Sequence, residues 1–370
     1  MKIALIHDAL VAKGGAERVV ASWLSYWPEA TLYTSAYLPE DTYEDFKSYN
    51  IKTSWMQKVA KSPHQVMRYI FPLMIPAFRS FNFSEYDMVL SSASYAAKSI
   101  KVPKRTCHIC YCHYPMRIAW QTDHYYNNKS SLKKIGLITL SKILQLIDYK
   151  HSLGVDYFIT NSNNTAKYIK KYYKRESTVF YPPIDTSKFY YNKPLEDYYL
   201  VVSRLNNYKR VDLAINAAKE LNKKLIIIGD GPDKLSLEKL AYGNKNIIFY
   251  GSVDEKTLLE LYSKCRALIF PQEEDFGLTP LEAQASGKAV IAFAKGGVLE
   301  TVINGKTGIL FKEQNVNNLV KAILSFELTN FNPKDIIKHA SKFDIINFQQ
   351  KIAKFLEEKL AEYKTLNNIA

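Results

Sequence analysis

Short apolar runs alternate with helix-length segments along nearly the whole chain, and the alternation pauses once, at Pro182-Pro183. Before the pause, strands are predicted at residues 2–10, 87–90, 106–112 and 157–160. Between the first two, residues 16–27 place Ala16, Val19, Val20, Trp23, Leu24 and Trp27 on one helical face. The polar cluster Asn161-Ser162-Asn163-Asn164 opens a further helix that ends near Tyr173. After the pause, apolar runs at 199–202, 225–229, 247–250, 267–270 and 289–293 are again separated by helix-length segments. Strands that alternate with helices build parallel sheets covered on both faces, so each series reads as a doubly wound α/β domain.

The predicted division is residues 1–185, 186–345 and 346–370, the last with Phe348, Ile352, Phe355, Leu356 and Leu360 at helical spacing. This terminal helix would cover one domain or cross back to the first. Two Rossmann-like domains facing across a cleft suit a reaction with two substrates, because ligands of open α/β sheets bind at the carboxyl ends of the strands.

Composition narrows the classes. With 47% hydrophobic and 23% charged residues over 370 positions, the chain is ordinary globular material. No run approaches the ~18 apolar residues of a membrane span. Residues 1–6 enter a strand directly rather than a leader, so a cytoplasmic location is expected. The formal charge of +14 comes from scattered lysines without a nucleic-acid motif, so no nucleic-acid partner is expected. An anionic membrane surface stays open as a partner. Residues 68–79 set a bulky apolar run between Arg68 and Arg79, and residues 132–150 carry Leu137, Leu140, Leu144 and Ile147 among Lys133, Lys134, Lys142 and Lys150. Both segments read first as buried packing.

Three of the four cysteines fall in the run Cys107 to His113. Strand alternation sends His108, Cys110 and Cys112 one way and Cys107, Tyr111 and His113 the other, so no tetrahedral metal set converges. Buried reduced thiols are expected instead, with Cys265 isolated.

Residues 271–287 carry the chemistry that this framework positions. Glu274 belongs to the acidic triplet Glu273-Glu274-Asp275 ahead of Phe276-Gly277, in the loop after the strand at 267–270. Thr279 suits the N-cap of a following helix, Pro280 its first position, and Gly287 the residue past its end. Glu282 would then lie in the first turn, either reaching back to the Thr279 N–H as a capping box or accepting ligand hydroxyls. Glu274 stands between a solvated loop and a sugar site.

Three more features point to an anion. Paired Gly14-Gly15 precede a helix whose N-terminus favours negative charge. The loop after residues 199–202 carries Arg204 and Lys209, each able to make a charge-assisted hydrogen bond of ~1.5–3 kcal/mol. Two such bonds supply much of the roughly 4–8 kcal/mol of a millimolar-to-micromolar ligand. The sequence lacks an Asp-x-Asp pair of the kind that holds Mg²⁺ on a nucleotide sugar, so no metal or other cofactor is expected.

Taken in order, Gly14-Gly15, Val202 to Arg204, Lys209 to Asp212, Gly229 to Pro232, Tyr250 to Val253, Glu274 to Glu282 and Gly296-Gly297 to Gly308 resemble the motifs of the retaining glycosyltransferases of family four, which have the GT-B fold. The resemblance implies that Glu274 binds donor-sugar hydroxyls and Glu282 the ribose. Arg204, Lys209 and the Gly14-Gly15 turn would meet the diphosphate. Phe276, Gly277 and Leu278 would offer backbone amides, and residues around Val253 would meet the base. Tyr111 to Arg117 is similar to a segment of bacterial polysaccharide mannosyltransferases, which implies a catalytic place for His113 beside Glu274. Ser203 stands where that family commonly has glycine, and Gln121 where an acid is frequent.

The expected protein is therefore a metal-independent, retaining hexosyltransferase. It would carry mannose from GDP-mannose to a lipid-linked precursor of surface polysaccharide or O-antigen, at the inner face of the plasma membrane. A UDP-sugar donor is the alternative, and a sugar-nucleotide epimerase or a non-catalytic nucleotide-sugar-binding module are more distant ones.

Overall fold

The computed structural model describes residues 1–121, 131–192 and 196–369. They fold into two units, Met1–Pro183 joined by the segment from Phe348 onward, and Ile184–Asn347. The strands of the first unit are β1 (Ile3–His7), β2 (Thr31–Thr34), β3 (Ile51–Thr53), β4 (Met88–Ala93), β5 (Cys107–Cys112), β6 (Tyr157–Thr160) and β7 (Ser177–Val179). They form one sheet in the order β3-β2-β1-β4-β5-β6-β7. The second unit contributes β8 (Tyr199–Val202), β9 (Leu225–Ile228), β10 (Ile247–Gly251), β11 (Ala267–Phe270), β12 (Ala289–Phe293) and β13 (Gly308–Phe311), ordered β10-β9-β8-β11-β12-β13.

Every pairing in both sheets is parallel. The chain winds outward from β1 and then returns to its other side at β4; in the second unit it does the same from β8 to β11. Each reversal opens a crevice at the carboxyl ends of those two strands, where ligands of such sheets bind. Both units are Rossmann-like, the architecture of the GT-B fold.

Alternation along β5 divides the first core as the sequence implies. Cys110 and Cys112 pack on one face with Ala4 and Val89, while Cys107, Ile109 and Tyr111 pack on the other with Trp23 and Leu24. Burial holds the thiols protonated, pushing Cys110 up to about 12. The helix Gly15–Tyr26 buries Val19, Val20, Trp23 and Leu24, each worth roughly 1.5–3 kcal/mol of apolar burial. The terminal helix Ile345–Leu366 seats Phe348, Ile352, Leu356 and Leu360 in this same core.

Two expectations fail. The helix Ser131–Ser152 is inverted: its inward side is polar, with Ser141, Asp148 and Ser152 buried, whereas Ile138, Ile143, Leu146 and Leu153 are exposed. Of the stripe expected in the core, Leu140 is exposed and Leu144 and Ile147 are half-buried; the side chains of Leu137, Lys133 and Lys134 lie outside the described residues. The cause is Asp148. Its carboxylate pairs with the buried Lys98 at 2.7 Å and accepts from the Tyr173 hydroxyl at 2.6 Å and Trp120 Nε1 at 2.7 Å. A buried charge is costly unless it is fully partnered, so this face is held inward and Leu140 and Leu146 face out.

Residues 68–79 are not one buried run either. Met74, Ala77 and Phe78 are buried, but Tyr69 and Leu73 are exposed. The 3₁₀ turn Phe71–Leu73, which holds Pro72, separates the helix Pro63–Arg68 from the helix Met74–Phe78 and turns part of the segment outward.

Candidate functional site

In the second unit, the crevice between β8 and β11 collects residues from both loops. Arg204 and Lys209 follow β8, and Lys209 lies in the 3₁₀ turn Asn207–Lys209. Glu274 follows β11, and its carboxylate is ion-paired with Lys209 Nζ; the two side chains are 24% and 12% exposed. Arg204 is exposed at the same edge. Lys209 and the Glu274 carboxylate thus neutralise one another, and Arg204 follows the same strand as Lys209.

Backbone packing fixes this loop. Glu274 forms an isolated bridge with Gly296, and its carbonyl accepts from the Gly297 N–H at 2.8 Å. Gly296 has φ +78°, and a Cβ there would lie 2.2 Å from the Glu274 carbonyl oxygen. Gly297 is equally confined, since its Cβ would stand 2.3 Å from the Asp275 oxygen. The glycine pair is what lets the acidic loop pass so close.

The helix begins earlier than its sequence suggests. It spans Leu278–Ala285 with Gly277 (φ +86°) as N-cap, not Thr279. Only a glycine tolerates that conformation beneath the Phe270 ring, which a Cβ would approach to 3.0 Å. Glu282 therefore lies beyond the first turn and makes no capping box. It is buried, and its Oε2 accepts from the Tyr262 hydroxyl at 2.8 Å. Phe276 is buried as well, 6.1 Å from the Phe343 ring centre. Leu278 opens the helix, and Val253 is half-buried in the loop after β10.

Sequence reasoning missed the brace behind Lys209. Arg210, in the left-handed conformation at φ +52°, donates to both Asp212 oxygens at 3.1 Å and to Gln314 Oε1 at 3.4 Å. Gln314 in turn donates to the Pro271 carbonyl at 2.8 Å, tying the β8 loop to the β11 loop. The Arg210/Asp212 spacing was legible, but a lone glutamine over a hundred residues away carries no pattern.

In the first unit, Gly14 caps the helix Gly15–Tyr26 at the carboxyl side of β1. His113 follows β5, held by its N–H to the Ala93 carbonyl at 3.0 Å and by Asn161 Nδ2 donating to its own carbonyl at 2.9 Å. Its Nε2 lies 2.8 Å from Ser92 Oγ. Burial, and then the neighbouring His7, push its pKa down to about 3, so the ring is neutral. The structure thus gathers Arg204, Lys209, Glu274 and the Phe276–Leu278 turn at the second crevice, and Gly14, Gly15 and His113 on loops at the carboxyl edge of the first sheet.

Two Rossmann-like units, with a cation–carboxylate pair at the switch point of the second, have the architecture of the GT-B fold. Residues 183–343 match the family of glycosyl transferases group 1, and the chain is a glycosyltransferase carrying that domain. It is 27% identical to the alpha-1,3/1,6-mannosyltransferase ALG2 of Dictyostelium discoideum, over 84% of this chain and 86% of that protein. Among solved structures, sucrose-phosphate synthase of Thermosynechococcus elongatus superposes with a TM-score of 0.77 at 16% identity, covering 98% of this chain and all of the other. HepE of Anabaena, solved in complex with UDP-glucose, gives 0.70 at 17% identity, covering 96% and 99%.

Proposed function

We propose that this glycosyltransferase is retaining and metal-independent, and moves mannose from GDP-mannose to a lipid-linked precursor of surface polysaccharide. The observation that carries the reading is the Lys209–Glu274 ion pair at the switch point, with Arg204 at the same edge. In this reading, the donor diphosphate takes Lys209 and Arg204, and the released Glu274 carboxylate accepts hydroxyls of the sugar. Glu282, held by Tyr262, takes the ribose. The Phe276, Gly277 and Leu278 amides and the Gly14-Gly15 turn share the anion, Val253 borders the base, and His113 meets the sugar. The mannosyl choice draws on the ALG2 relatives; the UDP-glucose bound to HepE keeps a UDP-sugar donor as the alternative.

The reaction needs no covalent nucleophile. The acceptor O–H bond breaks as its oxygen bonds to the anomeric carbon on the face that the nucleotide leaves. The bond from that carbon to the phosphate oxygen breaks, and this oxygen takes the proton. Arg204, Lys209 and the helix N-terminus at Gly277 stabilise the charge that develops on the phosphate, and Glu274 stabilises the oxocarbenium character of the sugar.

The outward apolar side chains of the helix Ser131–Ser152 support a place at an anionic bilayer. No helix among the described residues is long and apolar enough to cross a membrane. The outward face of Ser131–Ser152 instead presents Ile138, Ile143 and Leu146 with Lys142 and Lys150, and Leu153 follows in the turn beyond it. Apolar side chains interleaved with cations are what an interfacial helix offers to acidic lipids.

A donor screen by released nucleotide, with EDTA-treated protein and a lipid-linked acceptor, tests the reading. GDP release from GDP-mannose supports it. Release of UDP alone moves the donor assignment, and no release with any donor overturns the function.

A further inference from the structure

A chain of polar side chains crosses the carboxyl ends of β1, β4 and β5, and only its last member, His113, has a part in the transfer above. His7 and Ser92 are register partners near the ends of neighbouring strands β1 and β4. His7 Nδ1 lies 3.0 Å from Ser92 Oγ, which lies 2.8 Å from Nε2 of His113. On the other side, His7 Nε2 is 3.5 Å from Glu17 Oε1. Both His7 and Ser92 are buried. Glu17 reaches back from the first turn of its helix into space that Gly14 leaves open, since a Cβ on Gly14 would stand 2.6 Å from Glu17 Oε2.

The carboxylate at one end gives the chain a direction. Nε2 of His7 faces the Glu17 carboxylate at 3.5 Å, and a carboxylate, which only accepts, favours a proton on that nitrogen. With its proton on Nε2, His7 accepts at Nδ1 from the Ser92 hydroxyl, and the Ser92 oxygen accepts from the Nε2–H of His113. The remaining nitrogen of His113, Nδ1, is left with a lone pair. We infer that Glu17, His7 and Ser92 are positioning residues that hold His113 in its Nε2–H tautomer, so that Nδ1 accepts a hydrogen bond from a hydroxyl of the bound sugar. This rests on the proposed place of His113 at the donor sugar. Gly14 acquires a second reason to be glycine, which is room for the carboxylate that sets the tautomer.

The test is ¹⁵N NMR of the His113 ring in the full chain, combined with steady-state kinetics. The wild type is expected to show an unprotonated Nδ1 and a protonated Nε2. Ser92→Ala and Glu17→Ala should each shift the ring toward a tautomer mixture. They should lower kcat about 10- to 100-fold while donor KM stays within about threefold, and Ser92→Thr, which keeps the hydroxyl, should restore most of the rate. If Ser92→Ala does not fold, Glu17→Ala, whose side chain is 12% exposed, carries the same comparison. A wild-type His113 protonated at Nδ1 overturns the inference, as does unchanged kcat in both alanine variants when His113→Ala abolishes transfer. Full transfer by His113→Ala would instead overturn the assigned role of His113 itself.

Discussion

Lys209 Nζ is ion-paired with the Glu274 carboxylate at the ends of the neighbouring strands β8 and β11. Each group partners the other until a ligand supplies a better match, a diphosphate for the lysine and hydroxyls for the glutamate. Glu274→Ala and Lys209→Ala should each lower kcat/KM about 10²–10³-fold. Because the two touch, the double variant should lose less than the product of the single losses. A fully multiplicative double variant in steady-state kinetics would show that they act independently.

Gly296 and Gly305 separate backbone strain from steric exclusion. Both have positive φ, but a Cβ on Gly305 meets nothing within 4 Å, whereas one on Gly296 meets the Glu274 carbonyl. Gly305→Ala should cost about 1–2 kcal/mol in urea unfolding. Gly296→Ala should cost about 3 kcal/mol or more and displace the loop that carries Glu274, with loss of activity. Equal costs at the two positions would remove the argument.

Acid should destabilise the first unit well above the carboxylate range. His108 is fully enclosed: its Nδ1–H donates to the Gly154 carbonyl at 3.1 Å, and its Nε2 lies 2.8 Å from Ser91 Oγ. Burial pushes its pKa down to about 4 from 6.5. Between those values the unfolded chain binds the proton and the folded chain does not, so stability is present above pH 6.5 and is lost as pH falls toward 4. Urea midpoints measured from pH 7 to pH 4 should fall, and His108→Gln should flatten the slope in that window.

The Lys98–Asp148 pair should be worth more broken than its mere presence suggests. Both side chains are wholly enclosed. Asp148→Asn leaves a buried ammonium without its counter-charge and should cost about 3–5 kcal/mol. A loss below about 1 kcal/mol in chemical denaturation would mean that the pair is dispensable.

The outward face of Ser131–Ser152 separates docking from folding. Ile143 and Leu146 are 50% and 64% exposed, so Ile143→Asp and Leu146→Asp should leave the unfolding midpoint nearly unchanged. The double variant should lose binding to vesicles of phosphatidylglycerol and phosphatidylethanolamine in a sedimentation assay. Undiminished binding would exclude this helix as the docking face.

Much of the architecture was legible because its signals are local. Apolar runs and helical periodicity announced both α/β series, and the diproline stands next to the junction between units at Pro183 and Ile184. Glu274, Arg204 and Lys209 could be singled out because each follows a recognisable strand. Other features depended on distant neighbours. The helix at Ser131–Ser152 carries an apolar stripe in sequence, yet Lys98, fifty residues before Asp148, decides which side faces in. The N-cap at Gly277 was misread because Thr279-Pro280 is a good helix start, and only the Phe270 ring above Gly277 shows why the earlier glycine serves.

By itself, then, the sequence determined two parallel α/β units and the short stretches in which charge and glycine concentrate, because periodicity and turn chemistry act over a few residues. Tertiary structure decided which of those stretches meet. Strand order sets β4 beside β1, bringing His7 to Ser92 across 85 residues and Ser92 to His113. It likewise sets β11 beside β8, bringing Lys209 to Glu274. A crossover fixes such adjacencies through the packing of whole helices on whole sheets, and no local pattern in either partner records them.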